Sequence, residues 1–205
     1  FPDMNKIALI TGATSGIGQA TALKAAEAGF DLIRGSHYPH APAFSKACDE
    51  EGMLFWSEAP FWGIGGFQPD GYWNASAYPA SEKDYKGFEE SALQQLKEMI
   101  RIHRNHPSIV TWSMCNEAFF STPEAIPGVR HLLERMVKLS RQLDPTRPAA
   151  IGGAQRPLGK DRIDLIGDIA GYNGDGATLS DFQQPAIPSV ISEYGSTTAE
   201  RPGAY

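Results

Sequence analysis

The sequence predicts an α/β fold, specifically an incomplete TIM-type (β/α) barrel with an atypical first βα unit. Short apolar runs alternate with longer segments of helical periodicity, the pattern of parallel strands joined by crossover helices. Two of those runs, Ser108–Glu117 and Ile187–Gly195, carry a glutamate where the apolar stretch gives out. Polar and aromatic groups gather just after the strands, where a barrel places its working side chains.

The composition sets the bounds. With 205 residues, 41% of them hydrophobic, the chain can bury a real core, and its 21 Gly and 15 Pro leave room for many turns. A formal charge of -6 without any basic run argues against a nucleic-acid partner. No apolar run approaches the ~20 residues of a membrane-spanning helix, so no membrane is expected. Cys48 and Cys115 form no CxxC pair, sit in apolar surroundings and read as core residues.

Taken in order, Lys6–Ile10 is a short strand, a Ser/Gly turn leads into a helix to about Ala28, and Gly29 stops it before the strand Phe30–Arg34. Within that turn Gly12, Gly16 and Gly18 have the spacing of a phosphate cradle at a helix N-terminus. The stretch 6–33 resembles the Gly-rich βαβ turn of short-chain dehydrogenases, and that resemblance implies an NAD(P) site. The same family carries a Tyr with a Lys four residues on. Tyr78 is followed there by Glu82, Tyr85 by Glu89 and Tyr172 by Gly176, so a structural βαβ unit is the preferred reading.

From Gly35 the loop Gly35–Pro42 is crowded with polar and aromatic residues. Ala43–Glu51 reads as a helix with Phe44, Ala47 and Cys48 inward, and Met53–Trp56 as the next strand, leading to Glu58. Residues 61–82 read as a long irregular insertion. Its Trp62, Phe67, Tyr72 and Trp73 offer faces on which a sugar ring can stack, or pack on the body of the domain. Lys83–Arg104 is an amphipathic helix, with Phe88, Ala92, Leu96, Met99 and Ile100 on one side. Pro107 breaks the frame after His103 and His106, which read as polar or capping groups rather than metal ligands.

After the strand ending near Glu117, Pro127–Leu143 repeats the helical rhythm through Val129, Leu132, Leu133, Met136, Val137, Ser140 and Leu143. Ala149–Gly153 is a strand, Ile163–Ile169 a weaker one leading to Gly171-Tyr172-Asn173, and Ser189–Ser192 the last, ending at Glu193. Two carboxylates at two barrel strand ends would face one mouth. Retaining glycosidases set such a pair about 5–5.5 Å apart, one as acid/base and the other as nucleophile.

Five ordered motifs add what periodicity does not. Arg34-Gly35-Ser36-His37-Tyr38-Pro39, Met53–Ala59, His106–Glu117, Asp144-Pro145-Thr146-Arg147-Pro148 and Ser192-Glu193-Tyr194-Gly195 together resemble the catalytic barrel of glycoside hydrolase family 2, over about residues 29–195. That family includes β-galactosidases, β-glucuronidases and β-mannosidases. The resemblance implies that Glu117 is the general acid/base and Glu193 the nucleophile. Asn116 would bind the sugar's 2-hydroxyl, His37 line the sugar site, Arg34 brace the nucleophile and Tyr172 stand near it. Glu58 would either touch substrate or support Arg34.

The implied function is retaining hydrolysis of a β-linked carbohydrate, a β-galactoside-like one favoured, without cofactor or assignable metal. An inactive carbohydrate-binding or structural fragment is the second reading, and NAD(P)-dependent oxidoreduction through Gly12, Gly16 and Gly18 the third. The family's first strand and the closing strand are not recognisable, so 1–205 reads as one truncated or chimeric barrel domain with a Rossmann-like segment at 6–33. An oligomeric partner or a missing domain is expected to cover the open edge. The N-terminus resembles no processed secretory signal, but the chain opens Phe1-Pro2-Asp3 rather than with Met, so localisation is not read from this end and is left open, with the cytoplasm favoured.

Overall fold

The computed structural model of the chain describes residues 6–10, 20, 23–24, 26–62, 64–67, 73–79, 81–154, 159–174 and 187–193, and the statements below concern those residues. Seven parallel strands form the body: β1 (Lys6–Ile10), β2 (Phe30–Gly35), β3 (Leu54–Glu58), β6 (Ile109–Asn116), β7 (Ala149–Gly152), β8 (Ile169–Asn173) and β9 (Ser189–Glu193). They lie side by side in that order, every neighbouring pair parallel. The sheet curls into a nearly closed barrel with an unsealed seam between β1 and β9.

Three helices described along their whole length pack on the outside: α1 (Pro42–Glu51), α2 (Glu82–His103) and α3 (Ile126–Leu143). Pro42 supplies the fixed φ of a first helical turn. Gly52, in the left-handed region at φ 68°, ends α1 by donating its N–H to the Cys48 carbonyl. In α3 the buried set is Ile126, Val129, Leu132, Leu133, Met136, Val137 and Ser140, one stripe of a 3.6-residue period. That stripe packs on β6, β7 and α2, while α1 packs on β3, where Phe44 meets Phe55 edge-on at 5.0 Å.

Strand alternation sorts the side chains into two populations. Ile33, Phe55, Trp112 and Met114 join the core beneath the helices, whereas Arg34, Glu58 and Ser113 turn inward and bond one another. Trp112 is tied at its polar tip, its Nε1 donating to Asp144 at 3.0 Å. Arg147 reaches the same carboxylate and the carbonyls of Ile109 and His106, so the Asp144–Pro148 motif fastens the start of β6.

Two expectations change. The insertion 61–82 is not wholly irregular, since β4 (Ile64–Phe67) and β5 (Trp73–Ser76) pair as an antiparallel hairpin. Ile-Gly-Gly-Phe has little strand propensity by itself, and cross-strand pairing supplies what the sequence does not. The weak strand expected at 163–169 begins only at Ile169. Before it the backbone turns, with Gly167 pressed so close that an added Cβ would lie 2.7 Å from the Ala149 carbonyl, and Asp168 accepts the Ala149 N–H at 2.8 Å. Both cysteines are buried free thiols, as expected. Residues 20, 23–24 and 26–27 are helical up to Gly29, whose φ of 78° ends the run. Gly12, Gly16 and Gly18 lie outside the described residues.

Candidate active site

The strands deliver their polar residues to one end of the barrel. Arg34, near the end of β2, is almost fully buried and spreads its guanidinium across the lumen. Its Nε and Nη2 donate to Glu58 Oε2 at 3.1 and 2.8 Å, and Nη2 also to Asn116 Oδ1 at 2.8 Å. Its Nη1 donates to the Ser192 carbonyl at 3.1 Å and to Glu193 Oε2 at 3.3 Å. The planar fork of an arginine suits this task, because several acceptors in different directions are met by one rigid group.

Glu117 follows the last residue of β6 with φ 49°, a left-handed conformation unusual for a residue with a side chain. Gly153 makes room for it. That glycine has φ 56°, and a Cβ there would lie 2.6 Å from Glu117 Cγ and 2.9 Å from Asn173 Nδ2. Its neighbour Gly152 lies equally close to the Cys115 carbonyl, Glu58 and Arg34. The Gly-Gly at the end of β7 therefore lets residues from β2, β3, β6 and β8 converge on it.

Asn173 joins the two carboxylates. Its Nδ2 lies 3.2 Å from Glu117 Oε1, 2.9 Å from Glu193 Oε2 and 3.0 Å from Asn116 Oδ1, and its Oδ1 accepts from Ser192 Oγ at 2.8 Å. One nitrogen shared in this way limits the separation of those two carboxylate oxygens to about 6 Å, compatible with carboxyls flanking a single glycosidic bond. Burial raises the Glu117 pKa, and the Glu193 charge raises it further, against the Asn173 hydrogen bond, His37 and Arg34. Glu58 goes the other way. Its complete burial favours the neutral acid, but Arg34 and His37 outweigh that and hold its pKa below the ordinary value.

His37 sits between them, Nδ1 2.7 Å from Glu58 Oε1 and Nε2 3.9 Å from Glu193 Oε2. Trp62 packs its ring 5.5 Å from the His37 ring and is otherwise exposed. Arg34, His37, Asn116, Glu117, Glu193 and Trp62 are thus brought to one place. Trp73 lies in β5 with its side chain outside the described residues. Tyr172 corrects the expectation that it stands near the nucleophile. Its hydroxyl donates to Asp164 at 3.1 Å among the buried core residues, and burial and that carboxylate raise its pKa. Alternation along β8 explains the difference: Asn173, the next residue, pairs in register with Glu193. Asn173 and the two glycines went unnoticed in the sequence. Their position at strand ends was the available signal.

His103 and His106 are committed elsewhere, His103 Nδ1 to Ser45 Oγ at 3.1 Å and His106 Nδ1 to Asp49 at 2.6 Å. Among the described residues no group of three or more His, Cys, Asp or Glu is arranged to hold a metal ion, and no helix is long and apolar enough to cross a membrane.

Parallel strands wound into a barrel, with acidic and basic side chains meeting at the strand ends, define the TIM-barrel class of folds. Within that class the chain belongs to glycosyl hydrolase family 2: the family described as "Glycosyl hydrolases family 2, TIM barrel domain" matches residues 22–205. It is 32% identical over 183 residues to a β-glucuronidase of Bacteroides fragilis, a match covering 83% of this chain and 24% of that protein. An FMN-binding β-glucuronidase from Facaelibacterium prausnitzii L2-6 superposes with a TM-score of 0.72 at 26% identity, covering 94% of this chain and 30% of that one. A Bacteroides uniformis β-glucuronidase, at 24% identity and a TM-score of 0.74, shares the fold over 94% of this chain and 25% of its own. The chain thus spans between about a quarter and a third of these relatives.

Proposed function

We propose that this barrel performs retaining hydrolysis of β-linked glycosides, with Glu117 as acid/base and Glu193 as nucleophile. The observation that carries the reading is the pair of carboxylates held by the single Asn173 amide, with Glu117 pushed toward the protonated form. In the first step the Glu193 carboxylate attacks the anomeric carbon as the bond to the leaving oxygen breaks, and that oxygen takes the Glu117 proton. In the second, the Glu117 carboxylate removes a proton from water, whose oxygen attacks the same carbon and releases Glu193. Arg34 and Asn173 keep the nucleophile oriented through charge-assisted hydrogen bonds, and Trp62 offers a stacking face at the rim.

The sugar proposed is a β-hexopyranoside. The names of the relatives put β-glucuronides first to be tried, with β-galactosides, favoured from the sequence, beside them. The test is hydrolysis of aryl β-glycosides by the purified chain next to Glu117→Gln and Glu193→Gln. Turnover abolished by Glu193→Gln and sharply reduced by Glu117→Gln supports the assignment. A folded chain with no turnover above those variants instead supports a non-catalytic carbohydrate-binding or structural domain.

A further inference from the structure

We infer that Glu58 is a positioning residue that fixes His37 in the Nδ1–H tautomer, so that the ring presents Nε2 to substrate as a hydrogen-bond acceptor. The inference rests on the glycosidase reading and deepens it by naming the substrate group that this corner of the site selects.

Glu58 is fully buried and so does not touch a sugar. Its two oxygens have different duties. Oε2 receives Arg34 Nε and Nη2, Trp56 Nε1 at 3.3 Å and Ser113 Oγ at 2.8 Å. Oε1 faces His37 Nδ1 at 2.7 Å. A carboxylate held beside a buried guanidinium is ionised and only accepts hydrogen bonds, so the proton between Oε1 and Nδ1 belongs to the imidazole. In the neutral ring Nε2 is then left with its lone pair.

That nitrogen lies 3.9 Å from Glu193 Oε2, too far for a direct hydrogen bond. The gap is bordered by two acceptors, a bare Nε2 and a carboxylate oxygen. A group entering it must donate. A sugar hydroxyl does so, whereas a carboxylate or a fluorine in its place cannot. Glu58 thereby sets a requirement for a hydroxyl at a distance from the reacting bond, without contacting the substrate.

The tautomer is measurable independently of turnover. Long-range ¹H–¹⁵N spectra of the chain, with the His37 signals assigned by comparison with His37→Gln and recorded at a pH where the ring is neutral, should show the proton on Nδ1. A proton on Nε2 in the wild-type chain overturns the inference without any variant having to fold. In Glu58→Gln the amide oxygen stays with Arg34 and Ser113 and the amide NH₂ faces His37, so the proton should move to Nε2; a folded variant that keeps it on Nδ1 overturns the assignment equally.

With aryl glycosides, Glu58→Gln should lower kcat/KM on the order of 10- to 100-fold, the usual range for an orienting partner. The penalty should shrink for the one monodeoxyfluoro substrate that lacks the hydroxyl read by His37. Equal losses on every substrate contradict the hydroxyl selection. If the wild-type chain hydrolyses none of them, the glycosidase reading fails, and the tautomer still decides the role of Glu58.

Discussion

Arg34 on β2 reaches across the barrel to Glu193 on β9, its Nη1 3.3 Å from Oε2, while the same guanidinium holds the buried Glu58 at 2.8 Å. Side chains from nearly opposite ends of the chain thus share one cation. Replacing Arg34 with Met strands Glu58 as an uncompensated charge and should cost about 3–5 kcal/mol of stability, read from the urea midpoint. Arg34→Lys keeps a charge but loses the fork. It should recover part of the stability and little of any turnover.

Gly153 is required twice, by its positive φ and by the approach of Glu117. Gly153→Ala should cost on the order of 1–2 kcal/mol from the backbone alone. Displacing Glu117 and Asn173 should lower kcat far more than the melting temperature. Thermal unfolding together with aryl-glycoside kinetics checks the split.

The elevated Glu117 pKa predicts the alkaline limb of the pH–rate profile. In its proposed role as the acid Glu117 must be protonated, so kcat/KM should fall as pH rises through its raised pKa. In Glu117→Gln that limb should vanish. The remaining rate should be best preserved with an aryl leaving group acidic enough to depart without a proton. A variant retaining the wild-type limb would falsify the assignment.

His103 makes folding acid-sensitive. Burial first, then the neighbouring charges of His106 and His40, lowers its pKa from 6.5 to about 4. Between those values the unfolded chain binds the proton and the folded one does not. The stability associated with the neutral ring is therefore complete above pH 6.5 and is lost as pH falls toward about 4. His103→Gln should flatten the slope of unfolding free energy across that window, measured by denaturant titration at a series of pH values.

The seam predicts association. Among the described residues β1 and β9 each pair on one side alone. A cavity of about 300 Å³ inside the barrel reaches β9 and is lined in part by Leu32, Trp56, Val110, Ile169, Val190 and Ile191, and Ile191 on that edge strand is exposed. Unpaired edges backed by apolar surface tend to find partners. Light scattering on the eluting chain should show concentration-dependent self-association, and a compact monomer with cooperative unfolding contradicts it.

Much of this was legible in the sequence. The α3 stripe from Val129 to Ser140 is a periodicity, and periodicity is local. Arg34, His37, Asn116, Glu117 and Glu193 stand at the ends of apolar runs, and five ordered motifs connected them before any coordinates did. Trp62 was found by its aromatic setting, and the structure lays it against His37. Tyr172 was assigned through its likeness to a family tyrosine, on the short run 171–174 that left the inward face of its strand unfixed, and its hydroxyl instead bonds Asp164. The same uncertainty hid Asn173, a residue of common type with no motif of its own. The hairpin β4–β5 was missed because a glycine-rich strand is specified by its partner more than by its own residues.

The sequence by itself determined the alternation of strands and helices, the buried stripes of α2 and α3, the family and the residues worth watching, since each follows from local pattern or ordered motif. Only the tertiary structure decided which of those residues meet. Bonds such as Arg34–Glu193 and Asn173–Glu117 depend on strand register and barrel curvature, which hydrophobic pattern constrains only loosely. The division of labour between Glu58 and Glu117 was likewise decided there. Burial penalises the charge of both, and only Glu58 is placed where Arg34 and His37 overcome it.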